Sequence, residues 1–286
     1  MKQKDHFKNI IELNLAVLFV STSGVLGKYI DLPVPLTIFL RSVIAGALLF
    51  LYGKSKGYNF KLASQDRISL WIGGAFLGAH WITYFYSLKL SNVAIAMLSL
   101  YTFPVMTALL EPILLKRKLL RVHILLGLIV LFGIYLIAPS TNMQNQYFSG
   151  ICLGLLSAFF YSLRNILLKR NAENYNQTAI MFTQLAVVSV LLLPTIAYLN
   201  NSDVIDYLIP VVLLAVLTTA IGHTLFVSSL KKFSITSASL ISSMQPVYGI
   251  ILAFIFLSES PRLNTILGGL VIISTVIIES RRISRA

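Results

Sequence analysis

Ten apolar stretches of about 20 residues each account for most of this chain. They run over approximately 9–30, 34–53, 68–88, 91–115, 121–138, 149–169, 178–199, 208–230, 234–258 and 262–280. An α-helix needs about 20 residues to cross roughly 30 Å of hydrocarbon. Only 12% of the 286 residues are charged and 57% are hydrophobic, about half the charge of an average soluble domain. A transmembrane barrel would need strands of about ten residues that alternate in polarity, whereas these runs are longer and apolar on all sides. The sequence therefore predicts an all-α integral membrane protein with ten transmembrane helices. The short connections leave no room for a soluble domain.

The net charge of +13 invites a nucleic-acid reading, but its distribution argues for a membrane bias instead. If the N-terminus lies inside, the inner segments hold Lys2, Lys4, Lys8, Lys54, Lys56, Lys61, Arg67, Lys116, Arg117, Lys118, Arg121, Lys169, Arg170, Lys231, Lys232, Arg281, Arg282 and Arg285. The outer loops hold only Lys89 and Arg262, together with Asp31, Asp203, Asp206 and Glu259. Cytoplasmic loops collect Lys and Arg, so both termini are expected in the cytoplasm and no nucleic-acid partner is expected. The first apolar run is long and lacks a small-residue cleavage site, which reads as a retained helix rather than a signal peptide. Cys152 is the only cysteine, which excludes an internal disulfide and a cysteine metal cluster.

The run Ser91–Leu115, SNVAIAMLSLYTFPVMTALLEPILL, has a counterpart 142 residues later in Phe233–Leu257, FSITSASLISSMQPVYGIILAFIFL. Pro246 stands where Pro104 stood. Gly127 meets Gly269 at the same offset, while Arg41 meets Gln184 and His80 meets His223 at 143. The chain divides into five-helix halves, 9–138 and 149–280, around the polar stretch 139–148. Five is odd, so the second half enters the membrane in the opposite sense. Inverted repeats of this kind build a site near the midplane between them.

Charges inside spans mark function by default because they are costly in hydrocarbon. Lys28, Arg41 and Arg164 are the cations within spans, and no carboxylate there pairs with them obviously. Glu111 is the deep candidate, but it precedes Lys116-Arg117-Lys118 and reads as a tie to that basic turn. Such a cationic lining suits a substrate with a carboxylate or another anionic group. Helical spacing puts Gly73, His80, Tyr84 and Ser87 on one stripe with Trp81 beside it. It also groups Ser157, Tyr161 and Arg164, and Thr219, His223 and Phe226. Arg41, Lys28, His80, Tyr84, Tyr101, His223, Gln245 and Arg164 are the expected substrate-binding residues. Pro104 and Pro246 are the expected hinges, since a proline inside a helix frees a carbonyl one turn earlier. The serine-rich start of the second copy, with Gln245, is expected to supply polar specificity. The Gly74-xxx-Gly78 and Gly150-xxx-Gly154 pairs allow close helix approach, within the chain or in a homodimer.

No phosphate loop, nucleophile elbow or HExxH occurs in the sequence, so an enzyme is not expected. No cofactor or metal is expected either, since the histidines lack surrounding ligands. A membrane-embedded enzyme using His80 or His223 is the alternative from another class.

The paired motifs carry a resemblance. YSLKLSNVAIAMLS before FPVMTALLEPILL, and SSLKKFSITSASLIS before QPVYGIILAFIFLSES, resemble the EamA-type branch of the drug/metabolite transporter superfamily over residues 10–280. Arg41 in IFLRSVIAGALL is similar to that family's second-helix arginine, and Lys28 to its first-helix lysine. The chain departs from the family where Lys116-Arg117 and Ser258-Glu259 replace its frequent Gly-Glu. The resemblance implies a bacterial inner-membrane secondary transporter. Its expected cargo is a small amino acid-like metabolite, exported by alternating access, with an importer of another metabolite as the variant reading.

Overall fold

Where they are described, the apolar runs become helices, and no strand occurs among the described residues. The structure, a computed structural model, describes residues 2–116, 120–138, 145–171, 174–198, 201–229, 242 and 244–283. In chain order the helices are α1 (Lys2–Tyr29), α2 (Val34–Ser55), α3 (Ser64–Leu90), α4 (Val93–Leu100), α5 (Phe103–Leu114), α6 (Arg121–Ile137), α7 (Gln146–Asn171) and α8 (Gln177–Leu191). After a 3₁₀ turn (Leu193–Tyr198) come α9 (Asn201–Asp206) and α10 (Leu208–Leu213). A π-helical segment (Leu214–His223), α11 (Thr224–Ser229), α12 (Gln245–Leu257) and α13 (Leu263–Ile283) complete the chain. Among the described residues, Ile11–Tyr29, Val34–Ser55, Val93–Leu114, Gln146–Leu168 and Leu208–Phe226 are long and apolar enough to cross a membrane. Arg121–Ile137, Gln177–Leu191, Gln245–Leu257 and Leu263–Ile278 are shorter apolar helices.

Local chemistry sets the helix starts. Asn92 accepts from the Ile95 amide at 2.8 Å, and Asn176 from the Thr178 amide at 2.9 Å. Each satisfies a donor that has no partner in the first turn. Pro35 sits in the first turn of α2, where its missing N–H costs nothing.

Pro104 and Pro246, the expected hinges, start helices rather than bend them. The run 91–115 is not one helix bent at a proline. α4 stops at Leu100, Tyr101 and Thr102 form a turn, and α5 starts at Phe103 with Pro104 in its first turn. Pro104 therefore frees no carbonyl, and the break lies just upstream of it. Pro246 likewise occupies the first turn of α12. The serine-rich stretch before it, apart from Ser242, lies outside the described residues, as does 139–144 of the linker.

Packing gathers eight of the ten apolar segments around a centre. α3 lies along α7 and also touches α8, while α2 lies along α8. α1 packs on the π-helical segment and on α12, and α4 and α5 pack on α7. α6 and α13 pair with each other at the edge, where Leu131, Phe132, Tyr135, Leu263 and Leu270 are exposed. Such a surface suits a bilayer. At the other end of α3, the Tyr175 hydroxyl donates to the Asp66 carboxylate at 2.7 Å and accepts from the Ala63 amide at 3.1 Å. The bond to Asp66 pushes the tyrosine's ionisation above its ordinary value.

Both glycine pairs are used inside the chain. A Cβ at Gly154 would come within 2.5 Å of the Ser99 Cβ, and one at Gly150 within 2.8 Å of the Ser91 Cβ. Gly74 and Gly78 bear in the same way on Val187 and Val188 of α8. Replacing Gly154 by a larger residue gains at most about 1 kcal/mol of helix propensity but overpacks a contact worth about 1–3 kcal/mol. Gly154→Val is therefore expected to lower the melting temperature in detergent. A melting temperature at or above the parent's would contradict this packing.

Candidate functional site

A small cavity lies where α1, α2, α3, the α4–α5 break, α7, the π-helical segment and α12 converge. Its walls are Val20, Ser23, Arg41, His80, Trp81, Tyr84, Leu100, Tyr101, Phe103, Tyr161, His223 and Gln245. Its volume of about 30 Å³ holds one or two waters, each of which needs at least about 10–15 Å³. Six of the eight expected binding residues meet there: Arg41, His80, Tyr84, Tyr101, His223 and Gln245. Lys28 and Arg164 do not line it. A larger cavity of about 250 Å³ opens beside Asn92, Tyr147, Arg262 and Asn264. It borders the undescribed 139–144 stretch, and its one charged lining residue, Arg262, is exposed.

Arg41 is only 1% exposed. Its Nε donates to the Thr219 hydroxyl at 2.6 Å and its Nη2 to the Thr218 hydroxyl at 3.0 Å. The guanidinium lies 3.9 Å from the Trp81 ring centroid and 5.8 Å from that of Phe85. Arg suits this position because its planar fork stacks on an aromatic face while donating in its own plane. One nitrogen is left over: Nη1 is buried and has no hydrogen-bond partner among the described residues. Helical spacing had suggested Thr219 but not Thr218. The two adjacent threonines serve one guanidinium because the π-helical turn is wider than an α-turn.

His80 is fixed by Ser157. The Ser157 hydroxyl donates to the His80 carbonyl at 2.9 Å, and the same oxygen lies 2.7 Å from His80 Nδ1. The serine has only one proton, so Nδ1 must carry its own and donate. A neutral His80 then keeps Nε2 as an acceptor. Its ring lies 4.6 Å from Tyr161 and 6.3 Å from Tyr84. His223 packs on Trp81 at 5.8 Å. Tyr101 links the two proline-bearing runs: its hydroxyl donates to the Ser242 carbonyl and lies 3.4 Å from Gln245 Oε1. Phe103 meets Tyr101 at 5.5 Å and Tyr161 at 4.8 Å.

Arg164 is a second buried guanidinium, also 1% exposed. Its Nε and Nη2 both donate to Gln184 Oε1, at 3.1 and 2.7 Å. Its Nη1 reaches Asn165 at 3.4 Å, and Tyr161 lies 5.7 Å from its centre. Gln184 Nε2 is buried without a partner among the described residues. Among the described residues no carboxylate pairs with Arg41 or Arg164. A central charge costs about 2.5–3.5 kcal/mol on insertion scales, and here it is offset only by neutral groups. No group of three His, Cys, Asp or Glu able to hold a metal occurs among the described residues.

Lys28 proves to be a helix cap. Its ammonium donates to the carbonyls of Leu88 at 2.8 Å and Ser91 at 2.6 Å, at the end of α3. Lys89 does the reverse, donating to Ile30 O at 2.6 Å and pairing with Asp31 at 3.4 Å. Each lysine thus satisfies the terminal carbonyls of the helix that carries the other. Glu259 accepts from the Val93 amide at 2.9 Å at the start of α4. The sequence marks Lys28 as a charge inside a span, but its length lets it reach a helix end instead of the cavity.

A bundle of apolar helices around a buried, charged and hydroxyl-lined cavity defines a membrane transporter. The chain belongs to the EamA-like transporter family, whose pattern matches residues 9–138 and 148–281. It is 25% identical over 283 residues to a pseudopaline exporter of Pseudomonas aeruginosa, covering 93% of this chain and 95% of that one. An uncharacterized transporter of Clostridium kluyveri is 23% identical over 278 residues, 91% of this chain and 89% of its own. One from Helicobacter pylori is 30% identical over 149 residues, and that match spans about half the relative's length, 48%, and 50% of this chain. A crystal structure at 20% identity superposes with a TM-score of 0.67, covering 96% of this chain and 98% of the other.

Lys28→Met removes the ammonium and leaves the α3 carbonyls with fewer partners. The expected loss is about 1–3 kcal/mol, read as a lower melting temperature. An unchanged melting temperature would mean that the cap contributes nothing.

Proposed function

We propose that the protein is a secondary exporter of small amino acid-like metabolites in the bacterial inner membrane. It works by alternating access across ten helices arranged as two inverted five-helix repeats, with both termini in the cytoplasm. The packing supports the repeat, because exchanging the halves maps the most extensive contacts onto one another, although α5–α6 and α1–α3 have no such counterpart among the described residues. The α3–α7 contact exchanges with α1 against residues 208–229, and α4 and α5 on α7 with α12 on α1. Likewise α3–α8 exchanges with α2 on the π-helical segment, while the α2–α8 and α6–α13 pairs exchange with themselves. The positive-inside bias supports the orientation. In this orientation the Lys28–Lys89 end faces outward.

The observation that carries the reading is Arg41 Nη1, unpartnered among the described residues, at the wall of the small cavity. A buried donor without a partner costs about 1–3 kcal/mol, a cost that a carboxylate arriving in the cavity would relieve. A 30 Å³ space is too small for a metabolite, so loading requires the helices to part. His80 Nε2, Gln245 and Tyr101 offer acceptors and donors for the remainder of the substrate. Similarity to an exporter over nearly the whole chain supports the outward direction.

Flux of candidate amino acids and imino acids into or out of proteoliposomes tests this. Arg41→Ala is expected to reduce transport by tenfold or more, and Arg41→Lys to restore only part, because a point charge cannot replace the stacked fork. Unchanged transport of every active substrate by Arg41→Ala would remove Arg41 from the mechanism.

A further inference from the structure

Arg164 is a second buried guanidinium that does not line the cavity. Arg41 and Arg164 bracket one aromatic run. Arg41 stacks on Trp81, whose neighbour His80 lies 4.6 Å from Tyr161, and Tyr161 lies 5.7 Å from Arg164. Both cations are 1% exposed, and all their partners among the described residues are neutral. The partner of Arg164 is informative. Gln184 gives its single oxygen to two arginine donors and leaves its own Nε2 buried and unpartnered. A glutamate of the same shape would make the stronger pair and would leave no orphaned amide. A residue whose only task was to tie α7 to α8 would gain from that charge. The glutamine instead preserves the positive charge of Arg164 and adds a second free donor beside it.

We propose that the transported substrate is a diacid, an amino or imino acid with two carboxylates. One carboxylate would be held by Arg41, and the other by Arg164 together with the Gln184 amide. The proposal rests on the reading of Arg41 as part of the binding cavity. Tyr161 is the element between the two subsites, since it lines the cavity and also covers Arg164. The small cavity has to expand on loading, and a rotation of the Tyr161 ring would expose the second guanidinium in the same movement. A substrate with two negative charges then neutralises both cations as it is occluded, so crossing the membrane centre leaves no net charge on the guanidinium–carboxylate set.

The test is flux through proteoliposomes with matched pairs that differ by one carboxylate: L-glutamate against L-glutamine, L-aspartate against L-asparagine, and iminodiacetate against N-methylglycine. At least one diacid is expected to move tenfold or more faster than its partner. Gln184→Glu, which neutralises Arg164 internally, is expected to lower that ratio at least tenfold while holding or raising the melting temperature. Arg164→Gln is expected to lower the ratio similarly, and it carries the test if the glutamate variant does not fold. The proposal is overturned if no pair favours the diacid, or if the preference survives both substitutions. Monoacid transport that depends on Arg41 without any diacid preference would sink this proposal alone. Flux indifferent to Arg41→Ala would sink the reading beneath it.

Discussion

The Arg41 guanidinium, stacked on Trp81 and bonded to Thr218 and Thr219, joins three elements that would otherwise meet only through apolar side chains. It fixes α2 against α3 and against the π-helical segment. In a low-dielectric interior these directional contacts count for more than ordinary packing. The threonines are in turn held by their own backbone. Thr218 Oγ1 donates to the Leu214 carbonyl at 2.5 Å, and Thr219 Oγ1 approaches the same carbonyl at 3.4 Å. The widened turn, the paired hydroxyls and the arginine therefore form one unit. π-Helical turns gather at functional sites, and this one occurs where the second half faces the first half's charge.

In the proposed repeat the two halves would share a plan but not a chemistry. Arg41 on α2 has Gln184 as its repeat counterpart on α8, and the second half carries its cation on α7 instead, as Arg164. The two proline-bearing runs meet through Tyr101, Ser242 and Gln245, so the elements that match best in sequence are in contact at the centre. The site is thus asymmetric within the proposed repeat.

The helices and most of the cavity were legible in the sequence because hydrophobic length and helical spacing survive folding with little change. His80, Tyr84 and Ser87 share a face by the helical repeat alone, and the structure buries all three. Arg41 was legible because a charge in mid-span has no way to reach water. Lys28 was misleading for the opposite reason: its flexible stem lets the charge leave the residue's own position, so depth in the sequence does not fix depth in the protein. The prolines misled because a proline inside a helix and a proline starting a new one look the same without the break beside it. Thr218 was hidden because an α-helical wheel sets it off the Thr219–His223 face, whereas in the π-helical segment both threonines reach Arg41. The glycine pairs signalled close approach correctly, but sequence could not say that their partners lie in the same chain.

The crossed lysines at the ends of α1 and α3 also govern how that end of the bundle comes apart. The Lys28 ammonium belongs to α1 but is spent on α3, and that of Lys89 belongs to α3 but is spent on α1. Neither helix can withdraw alone without stripping both termini of their donors at once. Glu259, from the loop after α12, holds the first amide of α4 beside them. Separating that end therefore strips several carbonyls and an amide of their partners together.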